Sequence, residues 1–253
     1  MSNIKGDPSM STDKFRRCHD VTKKWEGGWS DHPADPGGKT MYGITEAVYH
    51  AWLTKQRRPV RPVRAIDMAE AEQIYFDEYW LPCGGPTLAV GVDLATYDAS
   101  VNSGVSRGRQ WLLASVGGAD YETVKRICAR RLGFMQSLKI WTTFSRGWAR
   151  RVADVEAKGV AWALAAANDN RTVVRKQLDG EANKARSLVR KQAGGATGAG
   201  GSGAIAIDQS AQLGNWLLAG IVIFTFAMFI ILIIRAVINA RRATAFAQEA
   251  TYA

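Results

Sequence analysis

A glutamate, Glu26, is followed by two glycines, and a loop carrying Asp31 and Asp35 comes within nine residues of it, among Pro33, Pro36, Gly37 and Gly38. If a helix ends near Gly27, Glu26 occupies its last turn, at the negative end of the helix dipole, where ionisation is disfavoured. Trp25 and Trp29 flank it and would shield it from water, which raises a carboxyl pKa further. Both influences favour a carboxyl still protonated near neutral pH, as a general acid must be. The loop can hold a second carboxylate opposite the first, the arrangement on which glycoside hydrolysis depends. The same residues have a plainer use. Glutamates are common at helix ends, and Asp-Pro-Gly-Gly is good turn chemistry in its own right.

The elements that must position these residues are mostly helical. Phe15, Cys18, Thr22 and Trp25 recur at helical spacing, predicting a first helix that Gly27 and Gly28 stop. Thr45 is the expected N-cap of a second helix carrying Val48, Tyr49 and Trp52. Asp67 and Glu70 form a capping-box pattern opening a third helix, which runs through Ile74 and Tyr75 and stops at Pro82. Further helices are expected over 88–100, 107–116, 121–139 and 144–167. Residues 31–44 read as non-helical, with a short strand or hairpin arm over 39–44. The period thus predicts a mainly α chain with a small loop and hairpin lobe.

The stretch WEGGWSDHPADPGGKTMYGIT resembles the signature of glycoside hydrolase family 108, N-acetylmuramidases of phage and prophage endolysins. The pattern stands here as Glu26, Gly27 and Gly28, then Asp35, Pro36, Gly37 and Gly38, then Thr40, Gly43, Ile44 and Thr45. The resemblance implies a lysozyme-like helical domain over 12–95 with Glu26 as its essential acid. The spacing is also similar to that of phage lysozymes with a glutamate, an aspartate nine residues on and a threonine soon after. It implies that Asp35 and Thr40 hold or activate the attacking water, with Asp31 as the alternative carboxylate. Trp29, Asp31 and Tyr42 are the expected sugar-cleft residues, although packing is an equal use for the aromatics. His19 reads first as an exposed helix residue, with a place in the cleft as the alternative.

Past this region the pattern is looser. Asn102, Ser103 and Gly104, then Gln110, Trp111 and Leu112, then Gly147, Trp148 and Arg151 resemble a small peptidoglycan-binding domain, expected over 96–167. Asn102 is its candidate ligand residue, and Asp98 is displaced from the pattern. Between residues 121 and 160 there are nine Lys or Arg against three acids. The whole chain of 253 residues carries a formal charge of +10. That suits an anionic partner, and with no helix-turn-helix or RNA-binding module legible, cell wall is expected before nucleic acid. Cys18, Cys83 and Cys128 have neither disulfide nor zinc spacing and read as buried free thiols. His32 and His50 have no companion ligands, so neither metal nor cofactor is expected.

The C-terminal part reads differently. Residues 168–207 are expected to be a linker, charged and then glycine-rich. Trp216–Ile234 is an uncharged run of nineteen residues, about 28 Å as a helix against a hydrocarbon layer of roughly 30 Å. A transmembrane helix over 213–235 follows, with Arg235, Arg241 and Arg242 as cytoplasmic flanks. No signal peptide is legible. These features predict a single-pass inner-membrane protein acting on the periplasmic wall, with membrane lipid and a holin as further partners. The competing expectations are a lytic transglycosylase on the same polymer and a non-enzymatic, membrane-anchored peptidoglycan-binding protein.

Overall fold

A computed structural model describes residues 8–31, 38–199 and 212–253. Helix α1 (Pro8–Thr22) continues through a single 3-10 turn (Lys23–Trp25), and the chain leaves helical geometry at Glu26, with φ −86° and ψ 141°. One face of α1 buries Phe15, Cys18, His19, Val21 and Thr22. Strands β1 (Thr40–Met41) and β2 (Ile44–Thr45) pair antiparallel, Met41 opposite Ile44. Their tight turn is Tyr42–Gly43, both at positive φ (52° and 75°), the geometry of a type I′ hairpin. The hairpin was expected; its Tyr at positive φ was not.

Helix α2 (Glu46–Lys55) starts at Thr45, whose hydroxyl accepts from Val48 N at 3.3 Å. Helix α3 (Met68–Tyr75) has the full capping box between Asp67 and Glu70. Glu70 also accepts from Tyr49 Oη at 2.9 Å and pairs with Arg58 and Arg61, which ties α2 to α3. Pro82 does not stop α3. The chain passes through a π-helical turn (Phe76–Trp80) into α4 (Leu81–Cys83), where Pro82 sits in the first turn and Gly84 at φ +88° ends the helix. A proline is tolerated there because the first N–H groups of a helix have no partner inside it.

The rest is helical: α5 (Val92–Ser103), α6 (Val105–Leu113), α7 (Asp120–Gln136), α8 (Trp141–Ala167), α9 (Arg171–Ala199) and α10 (Gln212–Tyr252). Helix α5 is buried along Val92–Ser100 and packs on α1, α6, α7 and α8. The boundary expected between residues 95 and 96 therefore falls inside the central helix, and one hydrophobic core runs from Phe15 through Trp80, Tyr97, Ile127 and Val155 to Leu178 and Phe246. Gly91 and Gly159 let α5 and α8 approach closely. A Cβ on Gly91, at φ +87°, would meet the Gly159 carbonyl oxygen at 2.1 Å.

The C-terminal region requires a correction. Residues 171–199 of the expected linker are helical, and its last part, 200–207, lies outside the described residues. Among the described residues no helix is long and apolar enough to cross a membrane. The single-pass inner-membrane placement fails on that finding, and the lipid and holin partnerships rested on it. Past the apolar run, the flank expected at a lipid interface is packed into the protein. Helix α10 continues past Arg235 and docks on α8 and α9, burying Ile238, Ala243, Phe246 and Ala250. Arg242, expected at a lipid interface, instead grips Glu156 of α8 with two hydrogen bonds, 2.9 and 2.5 Å long. Lys158 reaches Glu249 at 3.1 Å, and Asn239 donates to Gln192 of α9 at 3.2 Å. Ahead of this docked part, Ile223, Phe229 and Ile233 are exposed.

Candidate active site

Glu26 is held by three elements. Its N–H donates to Lys23 O at 3.2 Å, which turns the chain out of the helix. The hairpin turn closes over the carboxyl: a Cβ on Gly43 would lie 2.5 Å from both Glu26 Oε2 and Tyr75 Oη. Only glycine allows that approach, and only glycine takes φ +75° without strain. Tyr75 of α3 fixes the turn by donating to Tyr42 O at 2.7 Å. From the far side α8 supplies Arg151, whose Nη2 donates to Glu26 Oε1 at 2.8 Å.

Arg151 belongs to a buried charge cluster. Its Nε and Nη2 reach Asp98 of α5 at 2.8–3.2 Å. Arg131 of α7 donates to Asp98 Oδ2 at 2.5 Å and to Asn102 Oδ1 at 3.0 Å. Asp98 and Arg131 are fully buried and Arg151 nearly so. The two guanidinium groups hold the Asp98 carboxyl down to about 2 despite its burial. Glu26 moves the other way. Desolvation raises its pKa above the ordinary carboxyl value; Arg151 opposes this, and the Asp98 charge adds to the rise. Burial is the largest of these influences, and Arg151 is shared with Asp98.

The Glu26 carboxyl opens on a pocket of about 220 Å³ lined by His19, Lys23, Tyr42, Met68, Glu72 and Tyr75, among others. His19 is 4% exposed and not the surface residue expected. Its Nδ1 lies 2.9 Å from Tyr97 Oη, and burial pulls its pKa to about 4, so it is neutral at physiological pH.

Of the other residues singled out, Tyr42 lines this pocket. Thr40 lies in β1 and its hydroxyl donates to Gly38 O at 3.0 Å; among the described residues it makes no hydrogen bond to Glu26. Trp29 is 37% exposed, with the Arg64 guanidinium 5.0 Å from its ring centroid. Asp31 is exposed, and Asp35 lies outside the described residues. Asn102 is engaged inside the protein by Arg131. Asp98, Arg131, Tyr75 and the link from Arg151 to Glu26 were missed, although Arg151 and Gly43 stood in the sequence patterns. Among the described residues there is no cluster of His, Cys, Asp and Glu able to hold a metal ion, and all three cysteines are free and buried.

The sequence profile of glycosyl hydrolase 108 matches residues 19–104. The chain is also similar to the solved structure of Brucella abortus SagA, at 31% identity over 60% of this chain and 97% of that one, with a TM-score of 0.53. The chain belongs to the glycosyl hydrolase 108 family. It is a glycoside hydrolase, a lysozyme-like enzyme with peptidoglycan as its substrate. No curated protein matches it. The family match takes in Glu26, Gly43, Tyr75, Asp98 and Asn102 but ends before Arg131 and Arg151, so the residues that complete the charge cluster lie outside it.

Proposed function

We propose that this chain is an endolysin-type N-acetylmuramidase. It hydrolyses the β-1,4 bond between N-acetylmuramic acid and N-acetylglucosamine in peptidoglycan, with Glu26 as general acid. The observation that carries this reading is the environment of Glu26: a carboxyl at a pocket, with its pKa raised by burial and one oxygen on a guanidinium. Desolvation raises the Glu26 pKa, which favours the protonated form that a general acid needs. As the proton passes to the glycosidic oxygen, Arg151 stabilises the carboxylate that forms. The remaining carboxylate charge faces the oxocarbenium-like sugar. Asp35 and Thr40 are assigned to the water, and Trp29, Asp31 and Tyr42 to the sugar, on the strength of the motif; of these Tyr42 lines the Glu26 pocket. Asn102 is better read as a support for Arg131 than as a wall ligand.

The test is digestion of purified peptidoglycan by the full chain and by Glu26→Gln. Reducing N-acetylmuramic acid ends are expected from the first and, on the general scale of acid catalysis, about 10²- to 10⁴-fold fewer from the second. Undiminished cleavage by Glu26→Gln would remove Glu26 from the chemistry. Ends bearing 1,6-anhydro-muramic acid would make the enzyme a transglycosylase, and reducing N-acetylglucosamine ends would move the cut to the other bond.

A further inference from the structure

The Glu26–Arg151 contact has a second side. The residues immediately before each partner, Trp25 and Arg150, also meet, with the Arg150 guanidinium 5.7 Å from the Trp25 ring centroid. They line a different cavity, of about 640 Å³, between the 3-10 turn, α8 and α10. Lys24, Lys158 and Arg241 complete its cationic wall, and Asp154 is the carboxylate lining it. Lys158 is engaged by Asp154 and by Glu249. Among the described residues Lys24, Arg150 and Arg241 make no ion pair, and all of them are exposed. The cleft therefore holds uncompensated positive charge, in a volume within the roughly 300–1,000 Å³ usual for ligand sites.

We infer that this cleft is an accessory subsite for the carboxylate-bearing stem peptide of the glycan strand cut at Glu26. The inference rests on peptidoglycan as the substrate and deepens it. Successive Cα atoms are about 3.8 Å apart, so the cleft wall and the acid are neighbours along both the α1 end and α8. A sugar seated at Glu26 carries its peptide as a branch, and an extended branch of four residues reaches about 13 Å. Its free carboxylates meet guanidinium and ammonium groups with no acid of their own. Attachment to the bound sugar raises the local concentration of the peptide at the cleft, which gives weak cationic contacts a useful effect. Arg241 comes from α10, so the C-terminal helix has a role in substrate binding once its lipid role is removed.

The experiment uses full-length Glu26→Gln protein, whose turnover is expected to be about 10²- to 10⁴-fold slower, and affinity is read only where the strands recovered afterwards are uncut, so that binding is measured apart from cleavage. Affinity is measured at low salt for soluble glycan strands with their stem peptides and for the same strands after an amidase has stripped them. The expected ratio of affinities, native over stripped, is at least about tenfold, and it should collapse towards one in the K24Q/R241Q double variant and at high salt. Both side chains are exposed, and matching circular dichroism and thermal melts establish that the double variant is folded. An unchanged ratio in the double variant, or no preference for native strands at all, overturns the subsite. So does displacement of native strands by an oligonucleotide or by phosphatidylglycerol vesicles at equal charge concentration, since the cleft would then read phosphate. Loss of cleavage in Glu26→Gln with no stem-dependent binding would leave the acid in place and remove only the cleft.

Discussion

Arg151 Nη2 lies 2.8 Å from Glu26 Oε1 although the two residues are 125 positions apart. The same nitrogen is 2.8 Å from Asp98 Oδ1, so the acid of the N-terminal motif is held by a helix beyond the family match. The active site is therefore complete only when α5, α7 and α8 are packed. Removal of Asp98 should be felt at Glu26 as a change in acidity as well as in stability. Asp98 raises the Glu26 pKa, and its charge also shares Arg151. In Asp98→Asn both effects vanish, so the Glu26 pKa falls and the basic limb of kcat/KM moves to lower pH. The variant also leaves Arg131 buried beside a neutral amide, at a cost of about 3–5 kcal/mol on the scale of broken buried pairs. A pH–rate profile below its melting temperature checks the first effect. A limb that stays in place would disconnect Asp98 from the acid.

Wild-type enzyme should keep its acid protonated above the ordinary carboxyl range, because desolvation raises the Glu26 pKa. The basic limb of kcat/KM should therefore lie above about 4.3, the value of an unperturbed glutamate. Burial lowers the His19 pKa to about 4, close to this range, so the limb has to be assigned residue by residue. Titration of Glu26 by carbon-13 NMR, with Glu26→Gln to assign the signal, would measure the value. A normal or depressed value would contradict the raised pKa.

Stability should follow Asp98 in acid. Its folded pKa is about 2, below the ~3.9 of an unfolded aspartate. A depressed carboxyl pKa stabilises the fold above the unfolded value, and that stabilisation is lost as pH falls through the window towards the folded one. The loss should thus occur between about pH 4 and pH 2 and amount to a few kcal/mol. Urea melts across this window, compared with those of Asp98→Asn, isolate the contribution; equal slopes in the two proteins would exclude it.

Gly43→Ala should damage activity more than its size suggests. The added methyl would lie 2.5 Å from both Glu26 Oε2 and Tyr75 Oη, so the carboxyl or the hairpin must shift. Displacement of a reacting group by about 1 Å can cost on the order of 10²-fold in rate. The positive φ adds about 1 kcal/mol of strain. Cleavage assays beside thermal melts separate the two, since strain alone would lower stability and spare kcat.

Local chemistry was legible in the sequence where it is written in short spacing. Thr45 and the pair Asp67 and Glu70 cap their helices as read, and Glu26 lines a pocket. Long-range pairing was not legible. Asp98, Arg131 and Arg151 look like ordinary solvated helix charges until α5, α7 and α8 bring them together, when all become buried. The arginines flanking the apolar run of α10 misled for a related reason. Hydropathy measures composition, but the fate of a helix depends on what its faces meet. Here the segment beyond Arg235 meets α8 and α9.

That docking gives a final prediction. Phe246 of α10 is completely buried, and Arg242 neutralises Glu156, which is 4% exposed. If α10 is an integral part of the core, Phe246→Ala should cost about 3–5 kcal/mol, the usual penalty for truncating a buried aromatic ring. Arg242→Ala should be comparably damaging because it strands a carboxylate in the interior, while the Arg242→Met, Glu156→Leu pair should recover most of the loss. A helix that merely tethered the enzyme would leave every melting temperature unchanged. Because α10 packs on α8, which carries Arg151, unfolding of α10 should also lower activity. Hydrogen exchange can follow this directly: amides of α8 around Arg151 should lose protection in Phe246→Ala together with those of α10. Loss of protection confined to α10 would mean that the helix folds and unfolds apart from the active site.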